Sequence, residues 1–247
     1  MSLVADNLTL RRGGRPVVAG LSAALNPGEI TAIVGPNGAG KSSLLLGLAG
    51  LLAPTSGSVT WDGHDLASVH PRARAQAIGY LPQAPDVAWD VATETLVALG
   101  RLPWRDRGTA AIESAVTALD LAALRHRLVS QLSGGERARV LLARVLAGEP
   151  RWILADEPLA ALDLGQQLSL AAHLKACAAA GQGVVVVLHD LALAMNHADR
   201  VLVLKDGVLI AAGPPVAALA PPVIAQGWGV QARWLGEAGA RALVTGG

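Results

Sequence analysis

The stretch Gly35-Pro36-Asn37-Gly38-Ala39-Gly40-Lys41-Ser42 decides the fold of this chain of 247 residues. It matches the pattern G-x-x-x-x-G-K-[ST], which is typical of a loop that joins a β-strand to a helix and binds phosphate. The apolar run Ile30 to Val34 lies directly before it and predicts the strand, and the helix is expected to begin near Lys41. We therefore predict that this loop holds the phosphates of a nucleoside triphosphate.

Each position in the loop has a physical role. The glycines let the backbone turn its N–H groups toward the phosphates, and the start of the helix adds a positive partial charge. Lys41 is expected to reach the β- and γ-phosphates, and Ser42 to place its hydroxyl on Mg²⁺. A glycine-rich turn that happens to contain a lysine is the structural alternative. The predicted nucleotide-binding set from this segment is Gly35, Pro36, Asn37, Gly38, Ala39, Gly40, Lys41, Ser42 and Ser43.

A second apolar run, Ile153 to Ala155, predicts a strand and is followed by two acids, Asp156 and Glu157. Ligands of parallel sheets bind in the crevice at the carboxyl ends of the strands, so both acids are expected to face the phosphate loop. Asp156 would help to hold Mg²⁺, directly or through water, and Glu157 would polarise the attacking water. The alternative is that both acids are solvated turn residues.

His189 follows a third predicted strand, Val184 to Leu188. An isolated histidine in this place is usually structural, but beside a phosphate site it can hydrogen-bond the γ-phosphate or the attacking water. We therefore place His189 with Glu157 as a candidate catalytic residue. The other histidines form no cluster with the spacing of metal ligands and are predicted to be surface or packing residues: His64, His70, His126, His173 and His197.

The order of apolar runs, turns and helical patterns predicts an α/β fold with a mostly parallel sheet. Residues 1–30 alternate in polarity and contain the turn Gly13-Gly14, which suggests an antiparallel addition to the main sheet. From residue 85 to residue 150 the pattern is helical with no convincing strand. We predict one domain, in which a helical subdomain (85–150) is inserted into an α/β core (1–84 and 151–247). The predicted helices of the insertion are Thr93 to Gly100, Thr109 to Leu119 and Glu136 to Ala147.

Composition argues against a nucleic-acid-binding protein, a membrane-spanning protein and a protein with an internal disulfide. The formal net charge is only +1, so no long-range field favours a nucleic acid, and no nucleic-acid partner is expected. Although 52% of the residues are hydrophobic, the apolar run Leu44 to Ala53 is far shorter than the ~20 residues of a membrane span. The first ten residues do not resemble a signal peptide, so a cytoplasmic location is expected. Cys177 is the only cysteine, which excludes an internal disulfide, and it is predicted to be a packed, inert thiol.

The segment Leu132-Ser133-Gly134-Gly135-Glu136 opens the third predicted helix and is itself a possible anion-binding helix start. Taken with the other motifs, it resembles the nucleotide-binding subunit of ATP-binding cassette (ABC) transporters, in order and across nearly the whole chain. The resemblance implies a P-loop NTPase (RecA-like) core, ATP and Mg²⁺ as cofactors, and ATP hydrolysis. It is carried by Gly35 to Ser42, Gln83, Leu132 to Glu136, Asp156, Glu157, Asp163 and His189.

The same resemblance implies that two copies meet head to tail. Each nucleotide would then lie between one copy's phosphate loop and the other copy's segment Ser133, Gly134, Gly135 and Glu136, which serves the γ-phosphate in trans. Gln83 would contact Mg²⁺ or water and couple the site to the helical subdomain. Asp163 would lie at the seam of the dimer.

Two departures from the family pattern stand out. The family usually has an aromatic residue that stacks on adenine before the first glycine-rich turn, whereas Arg12 precedes Gly13-Gly14 here. An arginine plane can also stack on a base, but the selectivity for adenine is then open. Alanines stand before Asp163 where hydroxyl residues are common in the family, which weakens the expected hydrogen bonds of the seam.

Three further segments resemble the ATPases that take up iron-siderophores, haem or cobalamin: Thr93 to Pro103, Leu188 to Arg200 and Leu219 to Val230. The resemblance implies a peripheral subunit on the cytoplasmic side of the membrane. Its partners would be integral-membrane permease subunits and, indirectly, a periplasmic or extracellular substrate-binding protein. The alternatives are an ATPase of an importer or exporter with another cargo, a soluble cassette ATPase of a different machine, and a nucleotide-dependent clamp that does not hydrolyse.

Overall fold

The computed structural model describes residues 2–83, 90–160 and 162–246. The predicted boundary between residues 84 and 85 lies outside the described residues, as does Ala161 in the segment before Asp163. The described strands are β1 (Leu3–Arg12), β2 (Arg15–Leu25), β3 (Ile30–Val34), β4 (Ser56–Trp61), β5 (His64–Asp65), β6 (Ile78–Leu81), β7 (Trp152–Asp156), β8 (Gly183–Val187), β9 (Arg200–Lys205), β10 (Val208–Gly213), β11 (Ala232–Leu235) and β12 (Ala242–Thr245).

The α-helices alternate with these strands along most of the chain. They are α1 (Lys41–Leu48), α2 (Pro71–Ala77), α3 (Thr93–Ala98), α4 (Thr109–Ala118), α5 (Gly134–Ala147), α6 (Leu164–Ala179), α7 (Leu191–His197), α8 (Pro215–Ala218) and α9 (Pro221–Trp228). Short 3₁₀ turns at Leu99–Arg101, Ala122–Leu124 and Val129–Gln131 connect the helices in the middle of the chain.

The main sheet has six strands in the order β10-β9-β3-β8-β7-β6. β3 pairs in parallel with both β8 and β9, and β7 pairs in parallel with β8 and β6, whereas β10 is antiparallel to β9. All residues of β3, β7 and β8 are buried, as expected for strands that are covered on both faces. The prediction of a mostly parallel α/β core is therefore confirmed.

The antiparallel strands near the amino terminus form a sheet of their own, in the order β2-β1-β4-β5. The prediction that residues 1–30 extend the main sheet is therefore wrong. The reason is the one-sided apolar pattern: alternate residues of β1, such as Leu8 and Leu10, are buried in one cluster with Leu44 and Leu48 of α1. Packing on α1 buries the apolar face of this sheet. Pairing at the edge of the main sheet would leave that face exposed.

Between residues 90 and 150 the described structure is helical apart from one isolated bridge, Ala92 to Leu128. The predicted helix Thr93 to Gly100 is slightly too long, because α3 ends at Ala98 and tightens into the 3₁₀ turn Leu99–Arg101. The third helix begins at Gly134, two residues before the predicted start, because Ser133 provides its cap.

Arg101, an almost fully buried arginine, contacts several residues in and near the turn after α3. The side chain of Arg101 is 7% exposed, forms 2.6 Å ion pairs with Asp106 and Glu149, and lies over the Trp104 ring. Arg72 of α2 donates hydrogen bonds to the carbonyl oxygens of Pro103 and Trp104. The segment Thr93 to Pro103 is thereby fixed to the α/β core.

The carboxyl-terminal hairpin of β11 and β12, which the sequence analysis did not predict, packs on α7. Asn196 exchanges two hydrogen bonds with the Arg241 backbone, at 2.8 and 2.9 Å. The Trp234 indole N–H donates to the Leu219 carbonyl. Strand β6, which forms the edge of the main sheet before Gln83, was also not predicted.

Candidate nucleotide-binding site

The loop between β3 and α1 approaches the β1–β2 sheet so closely that it requires glycine. Gly40, the residue before α1, has a φ of 97°, and a Cβ there would lie 2.1 Å from the carbonyl oxygen of Val17. An L-residue would be strained and would also clash with backbone. This loop conformation therefore requires glycine at position 40.

Lys41 turns its side chain back over the loop that precedes it. Its Nζ donates hydrogen bonds to the carbonyl oxygens of Gly35, at 2.8 Å, and Pro36, at 3.0 Å. The residue is buried, and this desolvation lowers the pKa of the ammonium group, while the nearby carboxylates of Glu157 and Asp156 act in the opposite direction. A poorly hydrated ammonium group at the loop is well suited to bind an anionic phosphate.

The next residue of α1 reaches the end of strand β7. Ser42 Oγ donates a 3.0 Å hydrogen bond to Asp156 Oδ1. Burial raises the pKa of Asp156, and the hydrogen bond from Ser42 partly offsets that shift. A hydroxyl and a carboxylate are hard oxygen ligands, and Mg²⁺ commonly takes one or two protein ligands together with phosphate oxygens. The residues present therefore fit a Mg²⁺ ion bound with a nucleotide.

Glu157 lies directly after β7 and is held between two nitrogen-bearing side chains. Gln83 Nε2 donates to Glu157 Oε2 at 2.5 Å, and His189 Nε2 lies 2.5 Å from Glu157 Oε1. Glu157 also has a φ of 51°, an uncommon conformation for a residue other than glycine and one that is often found at functional sites. The three side chains come from the ends of β6, β7 and β8, which are neighbours in the sheet.

These residues line an open cleft with a volume of about 490 Å³, which is within the usual size range of small-molecule sites. Arg12 and Val17 form part of its wall, so the predicted base-contacting arginine lies on the same cleft as the phosphate loop. Val17 carries no motif and was not among the predicted site residues, whereas the predicted residues Gly35, Pro36 and Asp156 are not among the lining residues. The described lining residues are Arg12, Val17, Asn37, Gly38, Ala39, Gly40, Lys41, Ser42, Ser43, Gln83, Glu157 and His189.

The structure does not bring the segment Ser133 to Glu136 into this cleft. Ser133 instead caps α5: its Oγ accepts from the Glu136 N–H at 3.3 Å, and Glu136 Oε2 accepts from the Ser133 N–H at 2.8 Å. This hydrogen bond from the Ser133 backbone lowers the pKa of Glu136. The cap fixes the direction of the first turn of α5, which contains Gly134 and Gly135.

Asp163 likewise does not line the described cleft but caps α6. Its Oδ1 accepts from the Gln166 N–H at 2.9 Å, and Gln166 Oε1 accepts from the Asp163 N–H at 3.3 Å. The sequence analysis missed Gln166, although an acid followed three residues later by glutamine is a recognisable helix-start pattern.

Three residues that were expected to be structural, His70, His173 and Cys177, lie in a helix cap or in partly or fully buried positions. His70 caps α2 by accepting from the Arg72 N–H, and burial lowers the pKa of His173. Cys177 is buried, which raises the pKa of its thiol. Among the described residues no group of three or more His, Cys, Asp or Glu side chains is arranged to hold a metal ion. Within the same residues no helix has the length and apolar character needed to cross a bilayer.

The chain is similar in sequence and in structure to known proteins. The family model described as "ABC transporter" matches residues 18–160. The hemin import ATP-binding protein HmuV of Pseudomonas fluorescens strain Pf-5 is 46% identical over 235 residues, covering 92% of this chain and 92% of the relative. HmuV of Rhodococcus jostii strain RHA1 is 42% identical over 93% of this chain and 80% of the relative. A solved metal-chelate type ABC transporter in an inward-facing conformation matches with a TM-score of 0.84 and 26% identity, over 99% of this chain and 96% of the other.

Proposed function

Because this chain belongs to the ABC transporter family, we propose that it is the ATP-hydrolysing motor subunit of an importer for a metal chelate. Haem is the proposed cargo, because relatives with 46% and 42% identity over most of both chains are hemin import ATP-binding proteins. An iron-siderophore and vitamin B12 are the other members of this cargo class. The observation that carries the proposal of hydrolysis is the position of Glu157 between Gln83 and His189, beside the phosphate loop.

The chemistry assigned to each residue follows from its place in the cleft. The Lys41 ammonium group would exchange its carbonyl partners for phosphate oxygens, and Ser42 and Asp156 would hold Mg²⁺. Mg²⁺, when bound, neutralises charge on the phosphates. Glu157 would orient the attacking water and accept its proton, while Gln83 and His189 fix the carboxylate. Gln83 and His189 would also contact water or the γ-phosphate.

We further propose that the site is composite. The cleft of one chain presents the phosphate loop and Glu157 but none of the described segment Ser133 to Glu136. The capped start of α5 carries backbone N–H groups and a positive partial charge, which suit the γ-phosphate of a nucleotide held by a second copy. Asp163, at the cap of α6, would lie at the seam of this head-to-tail dimer.

The proposed partners of the dimer are integral-membrane permease subunits, and through them a periplasmic or extracellular substrate-binding protein. The location would be peripheral, on the cytoplasmic side of the membrane. The helical subdomain from about residue 85 to residue 150 would transmit closure of the dimer, because the turn after α3 is fixed to α2 by Arg72. No nucleic-acid partner is proposed.

The function can be tested by expressing the chain with the permease encoded beside it. We expect the two to co-purify in detergent and, in vesicles that contain ATP, to accumulate the chelate that the complex transports. Hemin, a ferric siderophore and cobalamin are supplied in parallel, and Glu157→Gln is the matched inactive control. ATPase activity with no associated membrane protein would contradict the motor function, and accumulation of a different chelate would replace haem as the cargo.

A further inference from the structure

The first turn of α6 contacts two segments that the proposed function assigns to different nucleotides. One is the start of α5, which would serve the partner's ATP. The other is the loop after Glu157, which belongs to the chain's own site. The contacts are made by two adjacent glutamines, Gln166 and Gln167.

Gln166 makes the contact with α5. Besides its capping bonds with Asp163, its carboxamide lies against the backbone of Gly135. A Cβ built on Gly135 would lie 2.3 Å from Gln166 Cδ and 2.4 Å from Nε2, and real side chains essentially never approach so closely. Gly135 is buried at this contact. A side chain at position 135 would therefore displace the carboxamide of Gln166.

Gln167 makes the contact with the other segment. Its Nε2 donates hydrogen bonds to the carbonyl oxygens of Leu159, at 3.3 Å, and Leu162, at 3.1 Å. These two residues belong to the loop that begins at Glu157, whose own carbonyl accepts from the Ala160 N–H. The loop after Glu157 is thus hydrogen-bonded to the first turn of α6.

We propose that Gln166 is a positioning residue that fixes Gly135 relative to Glu157 of the same chain. It thereby couples the site where the chain hydrolyses its own ATP to the site that it completes on its partner. The inference rests on the proposed head-to-tail dimer. Since the contact is made by the carboxamide against Gly135, the shape of the side chain is what the coupling needs, rather than its capping bond alone.

Three variants distinguish a role of Gln166 in helix capping alone from a role in positioning Gly135. Gln166→Ala removes both the capping bond that Gln166 Oε1 accepts from the Asp163 N–H and the contact with Gly135. Gln166→Met removes this capping bond but keeps a side chain of similar length against Gly135. Asn196→Ala is the control for lost side-chain to backbone bonds: it removes two of them, with Arg241, whereas the side chain of Gln166 forms one, with Asp163.

The experiment measures steady-state ATPase activity against ATP concentration for the wild type and these three variants, with ATP binding followed by thermal shift. We expect Gln166→Ala to lower kcat roughly tenfold and to reduce the Hill coefficient to about 1, with the thermal shift by ATP unchanged. Gln166→Met should stay within about threefold of the wild-type kcat, and Asn196→Ala should keep the wild-type kcat even where its Tm falls.

Wild-type kcat and cooperativity in Gln166→Ala would overturn the inference. So would equal impairment of Gln166→Met and Gln166→Ala, because the cap alone would then account for the role. The premise is tested separately with the wild type: ATPase activity per chain must rise with protein concentration. If it does not, the head-to-tail dimer is wrong and the inference falls with it, whatever the variants do.

Discussion

Ser42 Oγ donates a 3.0 Å hydrogen bond to Asp156 Oδ1, which joins the start of α1 to the end of β7 across 114 positions of sequence. Two oxygen atoms of the kind that Mg²⁺ takes as ligands are thereby placed together beside the phosphate loop. We expect Asp156→Asn to raise the Mg²⁺ concentration needed for half-maximal ATPase activity by about tenfold or more, because it removes the charge that holds the ion. A Mg²⁺ titration at saturating ATP measures this, with ATP binding in EDTA as the control that should change little.

Glu157→Gln should separate binding from hydrolysis. The variant keeps the shape of the side chain and an oxygen that can accept from Gln83, but it loses the base. We expect turnover to fall by roughly 10² to 10⁴, while the thermal shift by ATP is kept and a dimer accumulates with ATP in size-exclusion chromatography. Glu237→Gln, the same exchange at an exposed residue beyond the cleft, is the matched control and should keep the wild-type turnover. Undiminished hydrolysis in Glu157→Gln would remove Glu157 from the catalytic step.

Lys41 gives a pH dependence whose sign can be derived. Burial lowers its pKa below the ordinary value of 10.5 in the free protein, whereas a bound polyphosphate favours the ammonium form. Binding of ATP should therefore take up a proton at pH values between the lowered pKa of Lys41 in the free protein and its higher pKa in the complex, and the affinity should fall as the pH rises through the lowered pKa.

Calorimetry in two buffers with different ionisation enthalpies measures this proton uptake. In Lys41→Met the uptake should disappear and the affinity should fall by roughly 10 to 100-fold, the usual value of charge-assisted hydrogen bonds. Equal proton uptake in the wild type and in Lys41→Met would assign the proton to another group.

Arg12 should determine how strongly the site selects adenine. A guanidinium plane can stack on any base, because every base has a π-face. We expect Arg12→Ala to weaken ATP and GTP binding alike, by roughly 2 to 30-fold. Arg12→Tyr should bind ATP at least as tightly as the wild type. Competition of unlabelled ATP and GTP against a fluorescent ATP analogue compares the two bases, and a loss confined to ATP in Arg12→Ala would show specific recognition of adenine.

Because Gly135 contacts Gln166, substitutions at these two positions should have non-additive effects on the free energy of unfolding. A methyl group at position 135 overlaps the carboxamide, which must move and give up its bond from the Asp163 N–H, at a cost of about 1 kcal/mol. Gly135→Ala should therefore lower Tm by several degrees. Adding Gln166→Ala vacates the space, so the double variant should melt higher than the sum of the two single losses predicts. Additive losses would mean that the two residues are not in contact.

The phosphate loop and the acids after β7 could be predicted from sequence because each is a short local pattern. The β-strand before the loop, the glycine positions and Lys41 all lie within about a dozen residues, and local backbone geometry fixes their use. The same holds for the cap of α5 by Ser133 and Glu136. The hairpin of β11 and β12 could not be predicted, since its short strands are defined by the packing of β11 on α9 and of β12 on α7.

The sequence by itself determined the proposal for the chemistry of this protein: which groups are expected to bind phosphate, which to hold Mg²⁺ and which carboxylate to act as a base. It also determined the parallel core, because continuous apolar runs must be buried on both faces. Only the tertiary structure decided that β1 and β2 form a separate sheet over α1 and that Gln83 and His189 enclose Glu157. The contact of Gln166 with Gly135 was decided there as well. These relations join residues far apart in the chain, and the distances between such residues are set by packing, which no local pattern encodes.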